Sequence, residues 1–468
     1  MGDVRKRIAV IGGGIAGLAA AVRLRDRAPA DTEIIVYEQS AVLGGKIRTG
    51  ELAGTVLERG AESFLVGAPD GTESAAVRLA RRVGLGDALV HPAAGQAAIA
   101  VGGALEPLPA GTLLGVPADL SQLGTLARPR ADADRDEGRP LLGADADVAV
   151  GALVRDRLGD EVVDRLVDPL LGGVYAGRAD QLSLAVTIPA LARAARREHT
   201  LRGAVRAAQA AAVRVPGRPI FAAIDGGLAR LVAAAAAACA ARISVGLPVR
   251  ELIRTPTGWR LLLGPVPAPV TDDVDAVILA VPARPAARLL AGVDGLAAGA
   301  VGSLDYASVA LIGMALPAGT DLPELSGFLV PAEEGTLVKA ATFVTTKWAH
   351  LRRPGEPVIV RASVGRAGEE ERLQRDDATL SHIAHAEVAA LLGTPLPVPL
   401  ATWVQRWGGG LPQYAPGHLD RIAAARAALA DRPGIALAGA AFDGVGIPAC
   451  VSSGETAAEH VLKSLEEA

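Results

Sequence analysis

The sequence predicts an α/β fold of Rossmann type, because the parts of a dinucleotide-binding unit follow one another in order near its start. An apolar run at residues 8–11 indicates a buried strand, and it leads directly into a glycine-rich turn at residues 12–17. A second apolar run at residues 34–37 ends on Glu38, where such folds place an acid that binds a ribose hydroxyl. The residues between the two runs suit a helix, so the predicted strands are parallel.

The glycines of this turn have separate steric roles. Gly12 permits the tight turn, Gly14 lets the backbone approach a pyrophosphate, and Gly17 allows the helix to pack closely on the strand. The helix N-terminus adds free N–H groups and the positive end of a dipole. We therefore predict an adenine dinucleotide bound at the following residues: Gly12, Gly13, Gly14, Ile15, Ala16 and Gly17.

A second glycine pair favours FAD over NAD, which share the first turn. Residues 43–49 read LGGKIRT and place two cations, Lys46 and Arg48, soon after Glu38. A chain that doubles back along an extended FAD would bring these cations to the pyrophosphate, whereas a domain that binds only NAD needs no such segment. The sequence thus predicts FAD, with Glu38 and the adjacent Gln39 at the ribose.

Further motifs are spread over nearly the whole chain. They are residues 57–64 (LERGAESF), 169–177 (PLLGGVYAG), 221 with 226–228, 346–348 (TKW), 361–366 (RASVGR), 407–414 (WGGGLPQY) and 444–450 (GVGIPAC). Together they resemble the FAD-dependent porphyrinogen oxidases of haem biosynthesis, which share an architecture with monoamine oxidases. The motifs at 169 and 407 are the most specific, and they resemble the bacterial branch. That branch carries out the six-electron oxidation of coproporphyrinogen III to coproporphyrin III, with O2 as acceptor and H2O2 as product.

The resemblance implies cofactor contacts beyond the glycine turn. It places Gly60, Ala61, Glu62 and Ser63 close to the isoalloxazine ring, and the backbone of Val249 at the adenine. The indole of Trp407 would lie at the dimethylbenzene edge of the ring. The loop at the pyrimidine end would consist of Val445, Gly446 and Ile447. Residues 407–414 contain no cysteine of the kind that attaches the flavin in amine oxidases, so the FAD is expected to be non-covalent.

The propionates of such a substrate require cations in its pocket. The candidate substrate contacts are Tyr175, Arg178, Lys347, Arg366 and Tyr414, with Arg361 in the same region. Some relatives carry a propionate-binding arginine just before the strand that corresponds to residues 97–101, where this chain has only apolar residues, so the propionate contacts are rearranged. No catalytic acid, base or nucleophile is predicted, because the flavin itself takes the hydride. No metal site is predicted either.

The dinucleotide-binding fold is predicted to be discontinuous, because strand-like runs suited to its sheet recur at residues 243–249, 276–281 and 435–439. A helical insertion and a mixed-sheet substrate domain rich in β-type runs interrupt it. The predicted division is residues 1–91, 218–301 and 405–468 for the FAD-binding domain, 92–110 and 302–404 for the substrate domain, and 111–217 for the helical insertion.

The amino-acid composition limits which binding partners and which cellular location are expected. A net charge of −4 and 3% aromatic residues exclude a phosphate-tracking surface or a base-stacking platform, so nucleic acid is not expected. Two cysteines fit a reducing cytoplasm, and no transmembrane segment is expected, because the alanine-rich stretch at residues 228–241 falls well short of the roughly 20 apolar residues of a membrane span. The apolar stretch at residues 105–126 is expected to line a tunnel, with contact to a bilayer as the alternative. Peripheral attachment to a membrane stays open. The resemblance adds O2 and a porphyrinogen as partners, with a transient hand-over of product to the next enzyme of haem biosynthesis.

Three other functions stay open from the residues alone. Protoporphyrinogen IX differs from coproporphyrinogen III only in two side chains, so its oxidation is the nearest alternative. A flavin amine oxidase would need an aromatic cage, and the chain has only 5 Phe, 4 Tyr and 4 Trp. A non-enzymatic carrier of the same fold would not need the intact glycine turn.

Overall fold

A computed structural model describes residues 5–130, 132–213 and 215–467. The strands are Arg7–Ile11 (β1), Glu33–Tyr37 (β2), Thr49–Leu52 (β3), Thr55–Glu58 (β4), Phe64–Leu65 (β5), Leu89–Val90 (β6), Ala97–Val101 (β7), Ala104–Pro107 (β8), Thr112–Leu113 (β9), Val116–Pro117 (β10), Phe221–Ile224 (β11), Arg242–Ser244 (β12), Val249–Thr255 (β13), Gly258–Leu263 (β14), Val270–Val274 (β15), Ala276–Leu279 (β16), Asp305–Leu316 (β17), Gly327–Leu329 (β18), Val338–Phe343 (β19), Val358–Val364 (β20), Ala401–Gln413 (β21) and Ile435–Leu437 (β22).

The helices alternate with the strands in some regions and follow one another in others. They are Ile15–Arg27 (α1), Ala75–Arg82 (α2), Val150–Leu158 (α3), Asp160–Val162 (α4), Asp168–Tyr175 (α5), Leu184–Thr187 (α6), Pro189–Ala195 (α7), Leu201–Ala211 (α8), Ala229–Ala238 (α9), Ala283–Leu290 (α10), Gly295–Gly302 (α11), Val344–Lys347 (α12), Asp377–Leu392 (α13), His418–Ala428 (α14), Ala440–Asp443 (α15) and Ile447–Glu466 (α16). None of the described helices is long and apolar enough to cross a bilayer.

A five-stranded parallel sheet gathers strands from distant parts of the chain, in the order β12-β2-β1-β16-β22. Val10 of the central strand lies between Val36 and Ile278, and all three side chains are buried. Such a sheet needs helices on both faces, because its strands are apolar on both sides. The strands predicted near residues 243, 276 and 435 all belong to this sheet.

The last helix closes this sheet by packing against the first. Gly454 of α16 lies so close to α1 that an added Cβ would be 2.1 Å from the backbone oxygen of Ala16. The contact requires a residue without a side chain. It brings the N-terminal turns of both helices to the same side of the sheet as the glycine-rich turn.

A seven-stranded mixed sheet forms the second layer, in the order β21-β17-β20-β19-β18-β7-β8. β18 and β7 are parallel, and the other neighbours are antiparallel. Helix α13 covers one face, where Val360 and Leu380 belong to the same apolar core. The opposite face of this sheet forms part of the candidate site.

Six helices lie between residues 150 and 211, within the segment where a helical insertion is expected. Residues 150–175 form α3, α4, a π-helical turn at Val163–Val167 and α5, and not one continuous α-helix. Gly159 has a φ of +91°, which ends α3 because this conformation is unfavourable for residues with a side chain. The division lets α5 lie against the second sheet.

Candidate active site

The glycine-rich turn has the geometry that its spacing predicts. Gly12 has a φ of +113°, and a Cβ there would lie 2.4 Å from the backbone oxygen of Ala280. A Cβ on Gly17 would lie 1.9 Å from the oxygen of Gly12. At Gly14, by contrast, no atom lies within 4 Å of the Cβ position. The turn is therefore tight underneath and open above the N-terminus of α1, the shape that a bound diphosphate needs.

Glu38 lies at the predicted edge of this turn. Its carboxylate accepts hydrogen bonds from the backbone N–H of Gly13 at 2.8 Å and of Ser40 at 2.7 Å. Each carboxylate oxygen has a second acceptor position for a ribose hydroxyl. Gln39 is exposed beside it. The N–H of Leu247 donates to the backbone oxygen of Glu38 at 3.0 Å, which brings the chain before Val249 to the same edge.

The second glycine pair doubles back over the first, as the sequence predicts. The N–H of Gly44 donates to the oxygen of Gly13 at 2.8 Å, and a Cβ on Gly45 would lie 3.4 Å from Cα of Gly14. Lys46 follows and is half-buried, and burial lowers the pKa of its ammonium group. Neither Lys46 nor Arg48 forms an ion pair with an acid among the described residues. Two uncompensated cations beside a helix N-terminus suit a bound anion.

The path continues from this loop to the second sheet. The N–H of Ala61 donates to the oxygen of Lys46 at 3.2 Å, and a Cβ on Gly60 would lie 2.0 Å from the same oxygen. The same Cβ would be 3.2 Å from the ring of Trp407 on β21. The indole N–H of Trp407 donates to the backbone oxygen of Arg59 at 2.8 Å. A continuous groove wall therefore runs from Gly14 to Trp407.

Glu62 holds this wall against the second sheet. Its buried carboxylate accepts hydrogen bonds from Nζ of Lys347 at 2.7 Å, from the indole N–H of Trp348 at 2.8 Å and from Arg361. Burial alone would raise the pKa of Glu62, but the charges of Arg361 and Lys347 outweigh it and lower the pKa to about 2. Lys347, an expected propionate ligand, is thus already neutralised by Glu62.

The loop before α16 completes the groove. Val445 is half-buried and Gly446, with a φ of +102°, directly precedes the helix, which begins at Ile447. Cys450 lies in the first turn of α16, close enough for the charge of Lys46 to act on its thiol. Burial nevertheless raises the pKa of Cys450 to about 11, so this thiol stays protonated at neutral pH.

One face of the seven-stranded sheet forms the floor of a cleft. Along β20, Val360 and Val364 pack beneath α13, whereas Arg361 and Ser363 point to the opposite face and are half-buried. The same alternation in the neighbouring strands exposes a set of mostly small or uncharged side chains. The floor consists of Leu311, Leu329, Ala340, Thr342, Arg361 and Ser363.

Two walls stand on this floor. The first is the segment around Gly60, since Arg361 donates to the backbone oxygen of Glu58 at 3.1 Å. The second is α5, because a Cβ on Gly173 would lie 3.0 Å from the side chain of Leu329. The uncharged part of the floor lies between these walls. The cofactor groove therefore leads into this cleft at the wall formed by the segment around Gly60, and α5 forms the opposite wall.

Tyr175 and Tyr414 differ from the expectation that both contact a substrate. Tyr414 is fully buried, its hydroxyl donates to the backbone oxygen of Ala440, and its ring meets Tyr175 edge-on at 6.0 Å. A side chain without accessible surface cannot contact a ligand, so Tyr414 packs behind Tyr175 and is removed from the substrate contacts. Tyr175, on α5, is 8% exposed, and burial raises the pKa of its hydroxyl to about 12.

The two expected arginines lie together at the far wall. Arg178 forms an ion pair with Asp168 at 3.3 Å. Arg366 is buried, and its guanidinium donates to the backbone oxygens of Val330 and Thr336. The sequence reasoning missed Lys339, which lies beside them and was recognisable as a single cation in the apolar run 337–341.

The described residues contain no cluster of three or more His, Cys, Asp or Glu that could hold a metal ion. The glycine turn, the free cations and the groove to Trp407 instead define the site of a flavin-dependent oxidoreductase. Residues 15–462 match the family described as "Flavin containing amine oxidoreductase", and the chain belongs to this family.

Relatives of known name refine this assignment. The chain is 35% identical to the coproporphyrinogen III oxidase of Mycobacterium bovis, over 98% of this chain and 97% of that protein. It is 31% identical to the protoporphyrinogen oxidase of Macaca fascicularis, over 98% of both chains. A crystal structure assigned as a protoporphyrinogen oxidase from Exiguobacterium is 31% identical and matches with a TM-score of 0.84, covering 99% of this chain and all of the other. The resemblance drawn from the sequence motifs is thereby confirmed.

Proposed function

We propose that this protein oxidises coproporphyrinogen III to coproporphyrin III with FAD as cofactor and O2 as electron acceptor. The observation that carries the proposal is the groove from Gly14 to Trp407, which ends at a cleft with a largely uncharged floor. The coproporphyrinogen III oxidase of M. bovis, similar over nearly its whole length, supports the substrate. Each of three rounds removes two electrons and two protons, so three O2 are consumed and three H2O2 released.

The residues along the groove would hold FAD without a covalent bond. Bound there, FAD accepts a hydride from a carbon that joins two pyrroles and passes the electrons to O2. The chain binds and orients it through the following residues: Gly12, Gly13, Gly14, Ile15, Ala16, Gly17, Glu38, Gln39, Lys46, Arg48, Gly60, Ala61, Glu62, Ser63, Val249, Trp407, Val445, Gly446 and Ile447. Trp407 and Gly60 would exclude water from the ring edge, and the N-terminus of α16 would favour negative charge on the reduced cofactor.

The cleft floor would hold the macrocycle. Leu311 and Leu329 offer apolar surface, while Thr342 and Ser363 offer hydroxyl groups near the centre. The only charged floor residue, Arg361, is bound to Glu62 and to backbone oxygens. No unpaired cation among these floor residues would therefore oppose the positive charge that develops on the macrocycle when the bridging carbon loses a hydride.

The three predicted domains would have separate roles in this reaction. We assign FAD binding to residues 1–91, 218–301 and 405–468, which contribute the parallel sheet. Residues 92–110 and 302–404 would bind the substrate, and residues 111–217 would cover it. The reaction would take place in the cytoplasm, with or without peripheral attachment to a membrane, and the product would pass to the next enzyme of haem biosynthesis.

Protoporphyrinogen IX is the second candidate substrate, because the similar macaque protein is named for its oxidation. The test is steady-state porphyrin fluorescence and peroxide release with each porphyrinogen under identical aerobic conditions. Coproporphyrinogen III carries four carboxylates and protoporphyrinogen IX two. We expect kcat/KM to be higher for coproporphyrinogen III than for protoporphyrinogen IX by about one to four orders of magnitude, because each buried cation that protoporphyrinogen IX leaves unpaired costs roughly 1–3 kcal/mol.

A matched control is the Gly17→Val variant, which should lack FAD because its Cβ would lie 1.9 Å from the oxygen of Gly12. It should neither absorb in the flavin band nor oxidise either porphyrinogen. Equal or faster turnover of protoporphyrinogen IX by the wild-type protein would reverse the substrate assignment. Turnover of primary amines but of neither porphyrinogen would contradict the proposed function as a whole.

A further inference from the structure

A cluster of buried charges lies beside α5, at the second wall of the cleft. Lys339, Arg366 and Asp168 are only 5%, 6% and 5% exposed. Together with Gly172 and Val330 they line a cavity of about 10 Å³. That is roughly the space that one water-sized atom occupies. The cavity is therefore a built polar site and not a gap in apolar packing.

The two most deeply buried cations of this cluster have no acidic partner. Nζ of Lys339 donates to the backbone oxygen of Gly172 at 3.0 Å, its one hydrogen bond among the described residues. The guanidinium of Arg366 donates to the backbone oxygens of Thr336 at 3.2 Å and Val330 at 3.1 Å. Neutral carbonyl groups thus provide all the described compensation for two buried positive charges.

The nearby charges leave an excess of positive charge. Asp168 forms an ion pair with Arg178 at 3.3 Å, and Glu369 is paired with Arg372 at 3.0 Å. Neither Lys339 nor Arg366 forms an ion pair among the described residues, although the charges of Glu369 and Asp168 act on Arg366. Burial of an unpaired cation is unfavourable, and burial together with the charge of Arg366 lowers the pKa of Lys339 to about 7. An anion at the cavity would remove this penalty.

We propose that Lys339 and Arg366 bind one carboxylate of the porphyrinogen substrate, with one oxygen in the cavity. This inference rests on the proposed function and assigns a substrate contact within it. Lys339 adjoins the floor residue Ala340 on β19, and Arg366 follows the end of β20. Arg366 lies five positions beyond Arg361 in the chain, a span of at most about 16 Å. A side-chain carboxylate of a macrocycle on the floor would reach the cavity from this side.

The site would also contribute to the choice of substrate. A vinyl group in place of the propionate leaves both buried cations unpaired, whereas a carboxylate accepts hydrogen bonds from both. This contact would involve a side-chain carboxylate of the macrocycle and not the carbon that loses the hydride. It should therefore strengthen binding without changing the chemical step.

The main test uses the FAD-loaded protein with Lys339→Met, a substitution of similar length that removes the charge. We expect KM for coproporphyrinogen III to rise about 10- to 100-fold, with kcat unchanged within about twofold. Lys339→Arg keeps the charge and should restore KM to within a few-fold of wild type. Lys463→Met is the matched control, because this lysine is 76% exposed and lies on α16. Its KM should equal that of wild type.

A second measurement needs no variant. The lowered pKa leaves part of the Lys339 amine uncharged and reactive towards acetic anhydride, but only 5% of this residue is exposed, so the reaction must be followed over a long exposure. Peptide mass spectrometry reports the modified fraction of Lys339. Coproporphyrin III should protect Lys339 from acetylation, and its tetramethyl ester, which has no free carboxylate, should not. This result decides the question if Lys339→Met fails to fold.

The outcomes separate this inference from the proposed function. Normal wild-type turnover with an unchanged KM in Lys339→Met, or equal protection by the acid and the ester, would overturn the carboxylate site and leave the oxidase function intact. A wild-type protein that oxidises neither porphyrinogen would contradict the proposed function and this inference with it.

Discussion

Nζ of Lys347 and Oε1 of Glu62 lie 2.7 Å apart, although 285 residues separate them in the chain. Arg361 reaches the same carboxylate from the second sheet. Glu62 therefore ties the wall of the cofactor groove to the floor of the cleft. Removal of this carboxylate should affect both stability and cofactor binding.

We predict that Glu62→Gln lowers the free energy of unfolding by about 3–5 kcal/mol, because it leaves Lys347 and Arg361 buried without a counter-charge. The variant should also be purified with less FAD, since the chain around Gly60 loses its anchor. Urea unfolding and the ratio of flavin to protein absorbance measure the two effects. Glu73→Gln is the control, because Glu73 pairs with Arg81 at the surface and should contribute less than about 1 kcal/mol. Equal losses in both variants would contradict the anchoring role.

Gly60 is predicted to be essential for the groove. Gly60→Ala places a Cβ 2.0 Å from the oxygen of Lys46 and 3.2 Å from the ring of Trp407, so the backbone must move. We expect reduced flavin occupancy after purification. Gly95→Ala is a control at a glycine with no atom within 4 Å of the Cβ position. Full occupancy in Gly60→Ala would show that the wall tolerates movement.

Glu38→Ala should weaken FAD binding. In the wild-type protein the carboxylate would accept a charge-assisted hydrogen bond from a ribose hydroxyl, which contributes roughly 1.5–3 kcal/mol to binding. The loss of this hydrogen bond corresponds to about a 10- to 150-fold higher Kd for FAD. Equilibrium dialysis of the apoprotein with FAD gives this value. Glu38→Gln retains an acceptor and should lose less. A wild-type Kd in Glu38→Ala would argue against the ribose contact.

The flavin should leave the protein on denaturation with acid or heat. Cys450 lies in the first turn of α16, next to the loop proposed to contact the ring, and the raised pKa of its thiol keeps it protonated and unreactive. The supernatant after acid precipitation should therefore contain all the FAD. Cys450→Ser should behave in the same way. Flavin retained in the wild-type pellet but released from Cys450→Ser would indicate a covalent bond at this residue.

The pH dependence of kcat/KM should report Lys339. Its pKa is lowered to about 7 by burial and by the charge of Arg366. The charges that act on Arg366 are those of Glu369, Arg178, Asp168 and Arg372. The protonated form binds a carboxylate, so kcat/KM for coproporphyrinogen III should fall as the pH rises through about 7. Lys339→Met should lack this decrease and stay low throughout. The same decrease in wild type and Lys339→Met would assign it to another group.

Much of the cofactor site follows from local sequence. The steric roles of Gly12 and Gly17 operate between residues close in the chain, and Glu38 follows from the strand before it, so their arrangement was predictable. The doubling back of residues 43–46 was also predicted, because two glycines permit it. The contacts at Gly60 and Trp407 came from resemblance, since no spacing rule relates residues so far apart.

The sequence by itself determined the nature of the fold: a parallel sheet interrupted by helices and by a second sheet, with a dinucleotide turn at its first strand. Only the tertiary structure decided which cations are available to a ligand. It paired Lys347 with Glu62, buried Tyr414 behind Tyr175, and left Lys339 with a single carbonyl partner. The physical reason is that charge compensation and burial depend on distances between segments hundreds of residues apart, which local patterns of polarity do not encode.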